Sequence, residues 1–298
     1  MSDGRPLVVA ALGGNALSPP DRPPAPEELK GALAVAADAL APIAESHDLI
    51  VTHGNGPQVG FLSATQPAMP LDILGAETEG WLGYAVEQAL TNRLLGRTTL
   101  SIVTRVVVAA DDPGFANPTK PVGPVLDAGE AARLRAERDW VFADDRGGAR
   151  RVVASPEPQE IVEAEEIGFL CRSGAIVVCL GGGGIPVVRD ERGLLHGVEA
   201  VIDKDLSSSL LAKTLGADAL LILTDVPGVY GDWPEREEPL RDPCVADLKA
   251  RTFAAGSMAP KVAAAVRFVE GGGRLAGIGR LGDAAALLDG TAGTVVRR

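Results

Sequence analysis

The stretch that decides the fold is LVVAALGGNAL, residues 7–17. It opens with six consecutive apolar residues, which is typical of a parallel strand buried on both faces. Comparable apolar runs follow at 49–52, 99–108, 175–180, 219–224 and 275–279. Apolar stripes at helical spacing predict helices at 27–46, 76–95, 158–172, 204–214 and 260–270. Because strands and helices alternate, we predict an α/β fold in which helices cover both faces of a mostly parallel sheet.

Two stretches interrupt this alternation. Residues 18–26, SPPDRPPAP, are too rich in proline for a helix and predict a loop directly after the first strand. Residues 111–157 mix proline, glycine and charged residues. We expect them to form a small inserted subdomain, or lid, within a single domain that spans residues 1–298.

Composition and charge restrict the possible partners. With 28 basic and 40 acidic residues the net charge is −12, which argues against nonspecific binding to nucleic acid or to an anionic membrane. No apolar run approaches the roughly 20 residues that span a bilayer, and the N-terminus lacks the pattern of a secretion signal. We therefore predict a cytoplasmic protein that binds neither nucleic acid nor membranes. The three cysteines lack ligand spacing, so we expect no disulfide framework and no metal site built from protein ligands.

Glycine-rich turns follow three of the predicted strands. They contain Gly13, Gly14 and Asn15, then Gly54, Asn55 and Gly56, and finally Gly181 and Gly182. In an open α/β sheet, ligands bind beyond the carboxyl ends of the strands, and glycine lets backbone N–H groups approach an anion closely. One such turn could simply form a tight corner, but three of them at strand ends predict binding of a phosphate.

Two common phosphate-binding designs fit poorly. A Walker A loop needs Gly-Lys followed by Ser or Thr, and the chain contains no Gly-Lys dipeptide, which excludes a P-loop enzyme. Residues 54–60, GNGPQVG, come within one residue of the dinucleotide fingerprint, but the spacing is wrong and the stretch does not follow the first strand. A nicotinamide-dependent enzyme is therefore a weaker alternative.

Three lysines occupy restricted positions in a chain that has 6 lysines and 22 arginines. Lys120 and Lys261 lie beside prolines, which limit the backbone around them. Lys204 lies at the start of a predicted helix, where it opposes the helix dipole unless an anion is near, and Asp203 or Asp205 is suited to cap that helix. We predict Lys204 as the main catalytic cation, and we expect its removal to leave the fold intact or slightly more stable.

A polar turn with an aromatic residue closes another buried strand, at 223–230, LTDVPGVY. This arrangement is typical of a nucleotide-base pocket. It makes Thr224, Asp225, Val226 and Tyr230 candidates for nucleotide binding.

Taken in chain order, eight motifs resemble the amino acid kinase family. They are ALGGNAL (11–17), VTHGNGPQVG (51–60), LGAETEGWLGYAVEQAL (74–90), NPTKPVGP (117–124), GGGGIPV (181–187), GVEAVIDKDLSS (197–208), LTDVPGVY (223–230) and FAAGSMAPK (253–261). The resemblance implies a three-layer αβα sandwich with a mostly parallel central sheet and a small protruding subdomain. It also implies a homodimer, for which the helix at 76–95, with Trp81 and Tyr84, is a suitable surface.

The resemblance is strongest to family members that move a phosphoryl group reversibly between ATP and carbamate. ATP or ADP and Mg²⁺ are therefore the implied cofactors. The resemblance places Lys120 on the subdomain and Lys204 and Lys261 beside the phosphates. It gives Asp205 the role of orienting the lysines, and it adds Met258 and Lys261 to the nucleotide-binding group. Ala11 stands where the wider family usually has lysine, a replacement that the carbamate-specific members share.

Two other functions stay open. One is another kinase of this fold that acts on a different small carboxylate or phosphate acceptor, and the other is a nucleotide-binding regulatory module without catalysis. Carbamate is already an anionic nucleophile, so its phosphorylation needs no general base. A site made of lysines and backbone amides suits that chemistry, and His53 needs no catalytic role.

Overall fold

The computed structural model describes residues 4–17, 25–138, 140–145, 147–231, 238–254 and 256–298, so most of the predicted loop at 18–26 lies outside the described residues. The strands are β1 Leu7–Leu12, β2 Asp48–His53, β3 Thr99–Ser101, β4 Arg105–Val108, β5 Lys120–Leu126, β6 Val141–Asp145, β7 Gly148–Val153, β8 Pro158–Ile161, β9 Ile176–Cys179, β10 Ile185–Arg189, β11 Leu195–Gly197, β12 Ala219–Thr224, β13 Leu275–Arg280 and β14 Thr294–Arg297. The helices are α1 Gly14–Leu17, α2 Pro26–Ser46, α3 Gly56–Thr65, α4 Leu71–Arg93, α5 Pro113–Ala116, α6 Ala128–Arg138, α7 Ala164–Arg172, α8 Lys204–Thr214, α9 Val245–Lys249, α10 Met258–Glu270 and α11 Ala284–Asp289. None of the helices in these ranges combines the length and apolarity that crossing a lipid bilayer requires.

The main sheet has seven strands in the order β14-β13-β12-β1-β2-β9-β3. All neighbouring pairs are parallel except β13 with β14. Alternate residues of β1 enter two cores. Val8, Ala10 and Leu12 face the core formed with α2, α4 and α11, whereas Val9 faces the core formed with α7, α8 and α10. Burial on both faces explains the unbroken apolar runs, and the predicted three-layer α/β arrangement is confirmed.

Three boundaries differ from those predicted. The run at 99–108 is two strands in different sheets, because β3 joins the edge of the main sheet while β4 pairs with β10 and β8. Residues 158–161 form β8 instead of the start of a helix, since antiparallel pairing with β4 overrides the local helical pattern. The helix predicted at 76–95 begins earlier, at Leu71 directly after Pro70, because its apolar stripe extends back to Leu71 and Leu74.

The insertion forms a unit with its own core. β5, β7 and β6 make an antiparallel sheet in that order, and α6 packs against β6 and β7. Ala131, Phe142 and Ala149 form the centre of this small core. The unit contacts the main body along α3, through β5, and Val122 and Val153 of the unit pack in a shared apolar cluster with residues of α3 and α4.

Candidate active site

A cleft of about 870 Å³ lies where β1, β2 and β12 end. Its walls are the turns after these strands, the starts of α3 and α8, part of β5, and the residues that lead into α10. This is the carboxyl edge of the parallel strands, where open α/β sheets bind their ligands. The volume lies within the range of small-molecule sites.

The structure brings nearly all the predicted site residues together. Those that line the cleft are Gly13, Gly14, Gly54, Asn55, Gly56, Lys120, Gly182, Lys204, Asp205, Thr224, Asp225, Val226, Tyr230, Met258 and Lys261. Gly181 is adjacent to this lining in the chain, but its N–H donates to the carboxylate of Glu79. Asn15 lies in α1, and its side chain is outside the described part of the structure.

Two of the predicted glycines allow the ends of neighbouring strands to pack closely. The N–H of Gly13 donates to the carbonyl of Leu223 at 2.8 Å, and the N–H of Gly54 donates to the carbonyl of Leu12 at 3.0 Å. A Cβ atom on Gly13 would lie 2.9 Å from the Leu223 oxygen, and one on Gly54 would lie 2.8 Å from the nitrogen of Gly14. The N–H groups of Gly13 and Gly54 are therefore already used, and these residues let neighbouring strand ends approach closely.

Donors for an anion come instead from the start of α3, and the start of α8 adds the positive end of its dipole. Gly56 is the first residue of α3, and the N–H groups in the first turn of a helix have no acceptor within that helix. α8 begins at Lys204, where the side chain of Asp203 caps it by accepting from the N–H groups of Asp205 at 2.9 Å and Leu206 at 3.3 Å, so these two donors are already used. Asp203 is thus the cap. Both helix N-termini open on the cleft and favour negative charge there.

A buried carboxylate joins two of the three lysines. Asp205 accepts from Nζ of Lys204 at 2.5 Å and from Nζ of Lys261 at 2.9 Å, and its side chain is only 4% exposed. Burial acts to raise the pKa of Asp205, but the two ammonium groups hold that pKa well below its usual value. Burial lowers the pKa of Lys204. It acts the same way on Lys261, but there the Asp205 carboxylate outweighs it and raises the pKa. Two cations are therefore held around one shared anion.

Lys120 reaches the same end of the cleft from the subdomain. Its Nζ donates to Oδ2 of Asp203 at 2.5 Å, in a pair whose side chains are 23% and 12% exposed. Asp203 holds the lysine with one oxygen and caps α8 with the other. The sequence indicates the capping role of Asp203 but carries no sign of its partner, which lies 83 residues away.

The position of Lys120 depends on a close contact between two glycines. Gly60 of α3 lies against Gly123 of β5, and a Cβ atom on Gly60 would lie 2.0 Å from the Gly123 Cα atom. Gly123 itself has a φ of 74°, a conformation that favours glycine. Because the obstructing atoms are backbone, an alanine at position 60 has to push β5 away from α3.

We expect Gly60→Ala to lower kcat by about 10-fold or more, since displacing β5 moves Lys120, and misplacement by about 1 Å can cost two orders of magnitude in rate. Gly31→Ala on α2 is the matched control, because an added Cβ atom there meets nothing within 4 Å. The control should keep its kcat and gain some stability from its higher helix propensity. Steady-state kinetics of both variants decide the matter. A normal kcat for Gly60→Ala would mean that the placement of β5 is unimportant for activity.

Apolar and aromatic side chains also line the cleft. They are Val226, Tyr230 and Met258, together with Phe253, which was not predicted although it belongs to the same motif as Met258. Arg150 of β7 also lines the cleft and donates from Nε to the carbonyl of Gly123 at 2.7 Å. Its position within a run of charged residues gave no indication of this.

Comparisons with known proteins agree with the geometry. The model of the amino acid kinase family matches residues 6–278. A carbamate kinase from Rhizobium meliloti (strain 1021) is 50% identical over 305 residues, which cover 97% of this chain and 92% of the relative. A carbamate kinase from Giardia lamblia bound to citric acid superposes with a TM-score of 0.92 at 38% identity, covering 100% of this chain and 99% of that chain. A Giardia lamblia carbamate kinase bound to AMP-PNP superposes with a TM-score of 0.87 at 37% identity, with the same coverage of 100% and 99%.

Proposed function

This chain belongs to the amino acid kinase family, and from that premise we propose that it transfers a phosphoryl group reversibly between ATP and carbamate, with ADP and carbamoyl phosphate as the other pair. The observation that carries the proposal is the convergence of Lys120, Lys204 and Lys261 from three separate segments at one end of the cleft. The chain is an ATP-dependent phosphotransferase. Carbamate as the acceptor is supported by relatives that are carbamate kinases and that match this chain over nearly its whole length.

The reaction requires the protein to position the two reactants and to neutralise the charge of the phosphoryl group. Carbamate already carries a negative charge, so no side chain has to remove a proton from it. Catalysis then depends on holding nucleophile and phosphoryl group in line and on neutralising the charge of the transferring group. We assign that neutralisation to Lys204 and Lys261. Because Asp205 holds both ammonium groups in place, little reorganisation is needed when the phosphoryl group is transferred.

The remaining predicted residues divide between the two substrates. We assign Lys120 and the N-terminus of α3, with Asn55 and Gly56, to the acceptor and the transferring group. We assign the part lined by Thr224, Asp225, Val226, Tyr230, Met258 and Phe253 to the nucleotide. This division is supported by the lysines that gather around Asp203 and Asp205, and by the apolar side chains that the turn after β12 and the residues leading into α10 contribute to the cleft.

Mg²⁺ fits this site as an ion carried by the nucleotide. Within the described ranges, no group of three or more His, Cys, Asp or Glu side chains is placed to hold a metal ion. Asp203 and Asp205 face lysines, which makes them poor additional ligands. Mg²⁺ is commonly bound through substrate phosphates, and it would neutralise phosphate charge beside the lysines.

A coupled assay with several acceptors tests the proposed reaction. We expect turnover with carbamate and ATP, and ATP formation from ADP and carbamoyl phosphate. Acetylglutamate, aspartate and UMP should give no turnover. Activity with one of these acceptors but not with carbamate would favour another kinase of the family. Nucleotide binding without turnover on any acceptor would favour a regulatory module.

We propose that residues 111–157 act as a lid over the cleft. The small core of its own supports movement of this unit as a whole over its contacts with α3 and α4, and Lys120 must reach the phosphates from this unit. Lids of this kind close on substrate and exclude water. We expect amide hydrogen exchange in 120–153 to slow when ADP and carbamoyl phosphate are added together. Unchanged exchange in this segment would contradict the lid.

We propose a cytoplasmic homodimer that contacts its partner through α4. Leu82 and Leu90 of this helix pack in the core against α2, whereas Ile73, Trp81 and Tyr84 are 41%, 38% and 61% exposed. Large exposed apolar side chains grouped on one helix are typical of a protein interface. Light scattering at micromolar concentration should give the mass of a dimer, and Trp81→Asp combined with Tyr84→Asp should give a monomer. A monomeric wild-type protein would exclude this assembly.

A further inference from the structure

A buried carboxylate supports the turn that follows β9. Glu79 of α4 is 1% exposed, and its oxygens accept from the N–H of Gly181 at 2.9 Å and from the N–H of Thr104 at 3.2 Å. Glu79 is not among the residues that line the cleft. It therefore acts on the site only through the backbone that it holds.

The supported segment is the glycine turn, Gly181–Gly183, and its backbone is unusual. Gly182 and Gly183 have φ values of 68° and 95°, and Gly184 follows with 88°. Leu180, just before the turn, has a φ of 53° and is the one non-glycine residue with positive φ in the described ranges. Such a conformation is unfavourable for leucine, so surrounding contacts must hold it in place.

The glycine turn is wedged between two parts of the cleft. A Cβ atom on Gly182 would lie 2.1 Å from Nδ2 of Asn55, and one on Gly183 would lie 2.6 Å from the carbonyl oxygen of Ile202. Ser207 of α8 donates to the carbonyl of Gly183 at 2.8 Å. A shift of the turn by a few tenths of an ångström thus reaches both Asn55 and the start of α8.

We propose that Glu79 is a positioning residue for phosphoryl transfer, because its hydrogen bonds to Gly181 and Thr104 fix the glycine turn against Asn55 and the segment that leads into α8. The inference rests on the proposed phosphotransferase function. Charge-assisted hydrogen bonds to backbone N–H groups are roughly twice as strong as neutral ones. The ionised carboxylate is therefore the form that holds the turn best.

The Glu79 carboxyl titrates within the usual assay range. Burial raises its pKa to about 8, against the opposing effect of its hydrogen bonds. The groups facing it are His53, Cys179 and Glu163. Burial lowers the pKa of His53 to about 4 and raises that of the Cys179 thiol, so both are neutral near pH 8, while Glu163 adds negative charge. We expect kcat to rise as the pH increases through about 8.

Glu79→Gln tests the proposal, because the amide nitrogen cannot accept an N–H and one of the two hydrogen bonds is lost. In the direction of ATP formation we expect kcat to fall about 10-fold, and the KM for ADP to stay within about twofold since the nucleotide contacts lie elsewhere. The rise of kcat with pH near pH 8, which we call the limb, should disappear. Glu79→Asp keeps the charge on a shorter side chain, and it should retain the limb together with part of the lost kcat.

Glu163→Gln is the matched control. Glu163 also accepts a backbone N–H, that of Arg105 at 2.8 Å, but it has no hydrogen bond to the glycine turn, so kcat should stay within about twofold. Because the charge of Glu163 helps to raise the pKa of Glu79, the rise of kcat with pH should remain in this variant and move to slightly lower pH. Amide hydrogen exchange of 180–184 should be faster in Glu79→Gln than in wild type, whether or not a substrate is turned over. Unchanged exchange there, or a loss of kcat with the limb intact, overturns the proposal. A wild-type enzyme inactive on carbamate would instead overturn the proposed function, and the exchange experiment would still decide on Glu79.

Discussion

Lys204→Ala is expected to lower kcat by about 10²-fold or more, the scale observed when a single preorganised charge-stabilising donor is removed. The ammonium group lies at the first position of α8, buried and fixed by Asp205 at 2.5 Å, so it needs little reorganisation to meet the transferring phosphoryl group. Lys204→Arg should also have a low kcat, because a planar guanidinium cannot replace a compact ammonium in a tight phosphate site. ATP formation from ADP and carbamoyl phosphate, followed in a coupled assay, measures both variants.

The stability of Lys204→Ala should fall, which corrects the expectation drawn from the sequence. That expectation assumed a cation opposing the helix dipole without a partner. In the structure Asp205 already compensates the charge, and removing Lys204 leaves this buried carboxylate with Lys261 alone. We expect a loss on the order of 2 kcal/mol in the free energy of unfolding. Lys213→Ala, an exposed change in the last turn of α8, should leave kcat unchanged. A near-normal kcat in Lys204→Ala would remove this lysine from the catalytic group.

Asp205→Asn is expected to damage both activity and stability, because Lys204 and Lys261 lose the anion that they share. Breaking a buried ion pair from one side typically costs about 3–5 kcal/mol of unfolding free energy. We expect kcat to fall at least 10²-fold as well, since two misplaced ammonium groups no longer meet the phosphoryl group correctly. Urea unfolding and steady-state kinetics measure the two effects separately.

The pH range in which this cluster changes the stability should move from acid to alkaline pH in Asp205→Asn. In wild type the pKa of Asp205 is depressed in the folded state, so its pairing stabilises the fold above the unfolded pKa of about 4 and is lost as the pH falls through the folded pKa. The variant lacks this acid limb. Without the Asp205 carboxylate, which raises the pKa of Lys261 in wild type, burial and mutual repulsion should lower the pKa values of both Lys204 and Lys261. Stability should therefore rise with pH above neutrality, because the folded state releases protons before the unfolded state does.

Asp203→Asn is the control for these measurements. Asparagine can still cap α8, and Lys120, which loses its partner, keeps 23% of its side chain exposed, so the loss of stability should be smaller than in Asp205→Asn, about 1–2 kcal/mol. Equal losses of stability in Asp203→Asn and Asp205→Asn would show that Asp205 has no special place between the lysines.

The central sheet could be predicted because its strands are buried on both faces. Runs such as 7–12 and 219–224 are apolar without interruption, and few other structures produce that pattern. Segments at the periphery were harder. Whether residues 158–161 form a strand or a helix depends on their pairing with β4, about 50 residues earlier in the chain. Local propensity cannot predict a pairing with so distant a segment.

The candidate site divides in the same way. Lys204 and Lys261 stood out because lysine is rare in this chain and because their neighbours restrict the backbone. Glu79 did not, since α4 carries several glutamates and only the folded structure distinguishes the buried one from the solvated ones. The pairing of Asp203 with Lys120 was equally hidden, because it joins the main body to the subdomain.

The pairing of each cleft lysine with an aspartate determines the electrostatic attraction between the cleft and an approaching anionic substrate. Lys120, Lys204 and Lys261 meet Asp203 and Asp205 at contact distance, so most of their positive charge is cancelled before any ligand arrives. Together with an overall charge of −12, this pairing weakens the attraction that the lysines of the cleft exert on polyanions at a distance. A phosphate that enters the cleft then contacts ammonium groups that the aspartates already hold in position. Selectivity among anions therefore depends on short-range contacts inside the cleft, and unrelated phosphates are not concentrated there by long-range attraction.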